Sequence, residues 1–529
     1  MSQNSVLQPE RIAQAQIPTT AGTLKRSALW SAETLHSVLP AFTAVVIVMS
    51  SALGGAYTAF LSRPIIGELY ARDGTLFAYV GSQWAQGRIP YFHMLDIKPP
   101  GVFALDAIVF HFIGRSTLAL GGVAAVFSAC SALAVLLLLR QWGAPMMAYC
   151  LGALITATAS NLWLYNPGNS AELYLLVPAT LSILSFTRGA QPGVLDGLLA
   201  GFSAGSAALF KTVGLAPLLA ASAALLVLLA LKECGTARVV KVLGATWAGM
   251  MMPWIAVVVW FARHNAAGLM LEASFPFGYS SSNWRISPMY SALVPIAALK
   301  YIGGCAVATA IGVVVLLHRR KELAHRRFYY LWMLTLFWVA ADISGALVGG
   351  AGAEHYFLCA IPSLATATAL LFWYLVEKTP SMTIVHWSLF LLFWAPIVLQ
   401  QSTDAWRVRT MRHAPNPEDK VADYLKAHKT AGDSLFVWPY YPVVYFRADM
   451  PTGIRIIDYH DWENQGKFTT DIASELRAAP PSFIVDDLKL SYPEASGYRR
   501  FREFVAANYR LSFQDGQLAV YSAKRPWPE

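Results

Sequence analysis

A chain of 529 residues that is 56% hydrophobic and only 13% charged carries more apolar surface than a soluble fold can hide, so lipid is part of its solvent. Its formal net charge of +9 invites a nucleic-acid reading, but the basic residues cluster in short turns between apolar runs, the pattern that orients membrane proteins. Membrane lipid, not nucleic acid, is therefore the expected partner. The five cysteines, Cys130, Cys150, Cys234, Cys305 and Cys359, lie in or beside apolar runs, with neither a disulfide framework nor a zinc spacing.

Residues 1–35 form a polar tail containing Gln, Pro, Thr and Ser, read as disordered and cytoplasmic rather than as a cleavable signal peptide. About eleven apolar runs follow that cross or nearly cross a bilayer: 36–60, 116–139, 144–160, 171–187, 194–210, 212–231, 242–261, 291–317, 328–348, 356–376 and 382–400. A further run, 102–113, spans only ~20 Å as a helix against ~30 Å of hydrocarbon, and contains Asp106 and His111. It reads as an interfacial or re-entrant helix. On that reading the basic turns at Arg140, at Arg188, at Lys232–Lys241 and at 318–327 all share the side of the N-terminal tail, which is then cytoplasmic.

The opposite, outer face receives the segment 70–101, the loops 161–170 and 263–290, and everything after Thr403. The expected organisation is a tail (1–35), a transmembrane unit (36–403) with its first outer loop at 61–115, and a soluble α/β domain (404–529). In the last, 418–428 reads as an amphipathic helix, 434–438 and 482–485 as buried strands, and 502–508 as a helix. A hairpin of 510–513 and 518–522 turns around Asp515-Gly516. The fold class is mainly α, a polytopic membrane protein with a small C-terminal α/β domain outside the cytoplasm.

Ionisable residues collect on that outer face. Asp73 heads a helix whose Leu76, Phe77, Val80 and Trp84 share one side, so it is either a functional acid or an N-cap. Lys98 precedes Pro99-Pro100 and, like Lys211 between two spans, either meets an anion or snorkels to the headgroups. Glu172 begins a span, where an acid also complements the helix dipole. His355-Tyr356 opens another span, where an aromatic belt is the plainer reading. Arg285 lies in the loop 263–290, whose other basic residue is Arg263. A carboxylate to take a proton and ammonium groups to face a phosphate are what glycosyl transfer from a lipid phosphate requires.

The order Asp73-Gly-Thr-Leu-Phe-Ala-Tyr, Gly87-Arg-Ile-Pro-Tyr and Asp96-Ile-Lys98-Pro-Pro-Gly101 resembles the first outer loop of the GT-C membrane glycosyltransferases. The nearest branch is the protein-mannosyltransferase and aminoarabinose-transferase-like one (family 39-like), and Glu172, Phe210-Lys211 and His355-Tyr356-Phe357-Leu358 with Pro362 follow in its order. The resemblance implies inverting transfer of a sugar from a polyprenyl-phosphate donor to a hydroxyl of a glycan, lipid or protein acceptor, outside a bacterial inner membrane. It makes Asp73 the acid that activates or orients the acceptor, Glu172 a second acid, and Lys98 and Lys211 the cations facing the lipid phosphate. Tyr356, beside His355, would be an aromatic near that phosphate. Two departures stand out: Gly74 and Leu76 occupy places where relatives carry a second acid and an arginine. With one ligand gone, a divalent metal at Asp73 is disfavoured, and no cofactor is expected. No Walker or Rossmann glycine motif offers a nucleotide site.

Two other readings compete. A transporter or glycolipid flippase needs ionisable groups near the midplane, for which Asp342 is the strong candidate, and preferably inverted repeats, which the chain lacks. An O-antigen-type ligase or polymerase would concentrate basic residues in one large late loop, unlike 263–290.

Overall fold

The computed structural model describes residues 32–59, 71–163, 168–189, 191–275, 299–300, 302–318, 326–348, 354–410, 417–439, 441–457, 472–489 and 498–524. Helices dominate these residues, as hydropathy predicts. In chain order they begin with α1 (Ala32–Ala59), α2 (Ala71–Ala85), α3 (Gly101–Phe112), α4 (Thr117–Trp142) and α5 (Met146–Ala159). Next come α6 (Ala171–Phe186), α7 (Val194–Phe210), α8 (Ala216–Ala230), α9 (Thr236–Ala262) and α10 (Ala267–Ser274). The bundle closes with α11 (Gly303–His318), α12 (Arg326–Val348), α13 (Ile361–Lys378) and α14 (Thr383–Thr410). Single 3-10 segments, Thr212–Leu215 and Glu354–Ala360, lead into α8 and α13.

Each of the eleven apolar runs falls on a helix in its described part. Seven segments are long and apolar enough to cross a bilayer: Ser37–Ala59, Thr117–Trp142, Thr212–Ala230, Thr236–Ala262, Phe328–Leu347, Glu354–Lys378 and Thr383–Arg407. The remaining four, α5, α6, α7 and α11, have 14 to 17 residues. At 1.5 Å per residue they reach only ~21–26 Å, short of the ~30 Å hydrocarbon slab. By length alone seven segments among the described residues qualify as spans, and the expected count of eleven requires these four shorter helices to cross as well. The short helices are sheltered by their neighbours: α5 packs against α1, α4, α13 and α14, and twelve of its residues are buried.

Local chemistry sets the ends of α3, α4 and α6. Ser170 caps α6 by accepting from the Leu173 N–H at 3.3 Å, and Ser116 caps α4 through the Leu118 N–H at 3.2 Å. Pro100 stands at the N-cap of α3, where a missing N–H costs nothing. The 12-residue α3 lies against α2, with Val102, Phe103, Asp106, Ala107, Val109 and Phe110 buried. Helix α14 runs on through Thr410, so residue 404, the expected start of a separate domain, falls inside it. Asp404 is buried there and accepts from the Trp163 N–H at 3.0 Å, which extends the helix's packing beyond its apolar stretch.

The C-terminal elements are α15 (Pro417–His428), β1 (Leu435–Trp438), α16 (Pro442–Ala448), α17 (Ile472–Ala478), β2 (Phe483–Asp487), α18 (Tyr498–Asn508), β3 (Tyr509–Asp515) and β4 (Leu518–Ala523). The sheet order is β1-β2-β4-β3, with β1 parallel to β2 and the other pairs antiparallel. The hairpin turns at Gly516, whose φ is 56°. This unit is joined to the loop between α2 and α3. The Leu95 N–H donates to Arg455 O at 2.7 Å, the Tyr79 hydroxyl to Met450 O at 3.1 Å, and Arg88 Nη2 to Thr452 O at 3.2 Å. Tyr79 also stacks on Tyr445 of α16, ring centres 5.0 Å apart.

Candidate active site

Asp73 occupies the first turn of α2, and its Oδ2 lies 3.7 Å from Lys98 Nζ. With 44% of its side chain exposed, it is the accessible acid of the group. The loop builds Lys98 into place. Its N–H donates to Asp96 Oδ1 at 2.9 Å, and its carbonyl accepts from the Tyr91 hydroxyl at 2.7 Å. Its Nζ sits 3.8 Å from Asp96 Oδ1 and 5.1 Å from the centre of the Phe77 ring. Tyr91 is fully buried at a φ of 65°, a left-handed conformation that a bulky residue keeps only where its surroundings enforce it.

Glu172 lies in the first turn of α6 with 7% of its side chain exposed. It accepts a hydrogen bond from Lys211 Nζ, and His355 Nε2 stands 3.9 Å from the same Oε1. Lys211 Nζ also faces the Tyr356 ring, 3.3 Å from its centre. The extended backbone of Lys211, φ −158° and ψ 139°, explains its position: it breaks the helix between α7 and the 3-10 turn that follows. His355 and Tyr356 enter from the 3-10 segment before α13.

The two acid–lysine pairs converge. A Cβ on Gly101 would lie 2.5 Å from Leu209 O, so only glycine lets the turn after Lys98-Pro99-Pro100 press against the end of α7, next to Lys211. His355 lies within electrostatic reach of Glu172, Lys211, Asp73 and Lys98 together. Each ammonium faces a carboxylate, so an incoming phosphate would meet two cations already held in place, with one accessible acid close by. Among the described residues no three His, Cys, Asp or Glu side chains come together as a metal site.

Six of the seven residues singled out in the sequence thus gather in one place. The seventh, Arg285, lies outside the described residues. Sequence reasoning missed Asp96, although an acid two residues before a lysine is a recognisable turn pattern. It also passed over Asn169 and Tyr174, whose hydroxyl donates to Asn169 Oδ1 at 2.7 Å. Asp342 accepts from the Ser363 hydroxyl at 2.6 Å and is buried against the 3-10 segment that carries His355.

The amino-acid sequence matches no family model and no curated protein. The fold, in contrast, is shared with solved structures. ArnT from Cupriavidus metallidurans in the apo state superposes with a TM-score of 0.59 at 12% identity, covering 93% of this chain and 98% of that one. The same enzyme bound to undecaprenyl phosphate gives 0.54 at 13% identity, over 94% and 99% of the two chains. The archaeal oligosaccharyltransferase AglB from Archaeoglobus fulgidus, in complex with an inhibitory peptide and a dolichol-phosphate, gives 0.51 at 13% identity over 92% and 74%. This chain is an integral membrane protein with the GT-C glycosyltransferase fold. The likeness extends over nearly the whole chain and is one of architecture.

Proposed function

We propose that the protein is an inverting glycosyltransferase that moves a sugar from a polyprenyl-phosphate donor to an acceptor hydroxyl on the outer face of a bacterial inner membrane. The observation that carries this reading is the convergence of Asp73–Lys98 and Glu172–Lys211 around His355 on a GT-C fold. Solved proteins of that fold hold undecaprenyl phosphate or a dolichol-phosphate.

In the reaction, the acceptor oxygen attacks the anomeric carbon as the bond from that carbon to the phosphate oxygen breaks. The electron pair leaves with the lipid phosphate. Asp73, the accessible carboxylate, takes the acceptor proton. Lys98 and Lys211 stabilise the charge that grows on the leaving phosphate, which matters most at a membrane boundary where water is scarce. Glu172 is buried behind Lys211 and acts through it, holding the ammonium toward Tyr356 until phosphate arrives. Attack from the face opposite the phosphate inverts the anomeric centre. The C-terminal unit, on the same outer face, braces the first loop.

The test is transfer by the full chain in nanodiscs, using the isotope-labelled lipid-linked sugar fraction from membranes of a strain lacking the protein. Wild-type protein is expected to release the polyprenyl phosphate and label an acceptor. Asp73→Asn is expected to keep undecaprenyl phosphate binding and lose about a hundredfold or more in turnover. Full turnover in Asp73→Asn would reduce that acid to a helix cap.

A further inference from the structure

Asn169 lies in the segment leading into α6, between Gly168, whose φ is 101°, and the cap residue Ser170. Its side chain touches three helices at once. Nδ2 donates to Asp106 Oδ2 of α3 at 2.6 Å and to Gly74 O of α2 at 3.1 Å. Oδ1 accepts from the Tyr174 hydroxyl of α6 at 2.7 Å. Asn169 is 1% exposed, and Asp106 and Tyr174 are fully buried. Both amide hydrogens and the amide oxygen are therefore used where water does not compete.

The two ends of this network matter. Gly74 follows Asp73, and Tyr174 is two residues beyond Glu172. We propose that Asn169, supported by Asp106, is a positioning residue for the transfer: it fixes the first turn of α2, with the proton-accepting Asp73, relative to α6, with the Glu172–Lys211 pair. The inference rests on the glycosyltransferase reading above and adds to it the group that sets the spacing between its two halves. Asp73–Lys98 and Glu172–Lys211 come from four separate segments, and a misplacement of about 1 Å between reacting groups costs on the order of a hundredfold in rate. Asp73 is half-buried, with 44% of its side chain exposed, so its own packing holds it only in part. The backbone beneath it supplies the rigidity.

Asp106 suits this supporting role. Its Cβ lies 2.4 Å from where a Cβ on Gly81 would stand, so α2 and α3 are in backbone-level contact at this point. Its second oxygen, Oδ1, has no protein partner among the described residues. Burial pushes its carboxyl well above the usual carboxylate range. A neutral acid offers Asn169 the same acceptor that an amide would.

The experiment uses full-length protein in nanodiscs with two readouts, binding of undecaprenyl phosphate and transfer from the labelled lipid-linked sugar fraction. Asn169→Leu, close in volume but without polar atoms, is expected to bind undecaprenyl phosphate within about threefold of wild type while transfer falls by about ten- to a hundredfold. Asp106→Leu should lose transfer in the same direction, and Asp106→Asn should recover most of it because the acceptor oxygen returns. Unchanged transfer in Asn169→Leu would overturn the assignment, as would loss of binding and transfer together, which marks a general packing role. If Asn169→Leu does not fold, equal behaviour of Asp106→Leu and Asp106→Asn overturns it. Absence of transfer in the wild-type protein would instead sink the glycosyltransferase reading itself.

Discussion

On the proposed function, single residues divide the candidate site into groups that meet the substrate and groups that hold them. Lys98 and Lys211 would belong to the first kind, yet each leans on an acid in the structure, Asp73 at 3.7 Å and Glu172 through a direct hydrogen bond. If both face one phosphate, Lys98→Met and Lys211→Met should each weaken use of the lipid-linked donor. The double variant should then be less than additive, since one anion is shared. Initial rates against donor concentration for the two singles and the double decide this, and small independent effects would mark lysines that only snorkel. Asp486 illustrates a structural acid. It is fully buried in β2 and paired with Arg502, but burial outweighs the guanidinium and its pKa is pushed up to about 6. A carboxyl whose folded pKa exceeds its unfolded value stabilises the fold below the unfolded value, near pH 4, and loses that contribution as pH rises through about 6. Relative to Asp486→Asn, wild-type thermal stability should therefore fall between about pH 4 and 7, by on the order of 3 kcal/mol in total. A difference between the two proteins that stays flat with pH would contradict it.

Elements build the site by pressing short, polar-ended pieces against long apolar ones. Helix α3 packs against α6 and α7, and α2, which lies against α3, packs against α16. On the α16 side Arg115, just after α3, lies 4.3 Å from the Phe446 ring centre, with its Nη1 3.3 Å from Asp449 Oδ1. A partly desolvated cation over a ring is worth about 1–2 kcal/mol. A double-mutant cycle of Arg115→Ala and Phe446→Leu, read by thermal denaturation, should show a coupling of about 1 kcal/mol. Strict additivity would mean that the C-terminal unit rests beside the first loop without bracing it. Proteolysis within the loop between α2 and α3 should quicken in Arg88→Ala, because opening of that loop no longer has to break the hydrogen bond to Thr452 O.

At the scale of the whole molecule, the proposed orientation puts Arg140, Arg188, Lys232, Arg238, Lys241 and the basic residues of 318–327 on the cytoplasmic side with the N-terminus, and the sheet outside. The positive-inside rule predicts this if all eleven apolar runs cross. A cysteine introduced at Gly516 should react with a membrane-impermeant maleimide in intact cells, and one at Leu323 should be spared. The opposite labelling would invert the orientation and move the acid–lysine cluster to the cytoplasmic face. The native thiols interfere little, as Cys150, Cys234, Cys305 and Cys359 are buried and Cys130 is half-buried.

Much of this architecture could be read before any coordinates, because hydropathy and turn chemistry are local. Apolar runs such as 116–139 and 356–376 become helices wherever they pack, and Asp515-Gly516 between two alternating segments becomes a hairpin. Run length alone could not decide the span count: α5, at 14 residues, is judged by what shelters it. Asp73 and Lys98 stood out by type and spacing, since they sit within one loop. The grouping of Glu172 with Lys211 and His355 depends on contacts between residues 39 and 183 positions apart, and only packing creates those. Asn169 is the clearest case. In the run Asn-Pro-Gly-Asn-Ser it has the composition of an exposed turn, and nothing nearby in sequence marks it as buried. Burial comes from α2, α3 and α6 closing over it, and that closure turns a turn-forming amide into the tie between the two halves of the site.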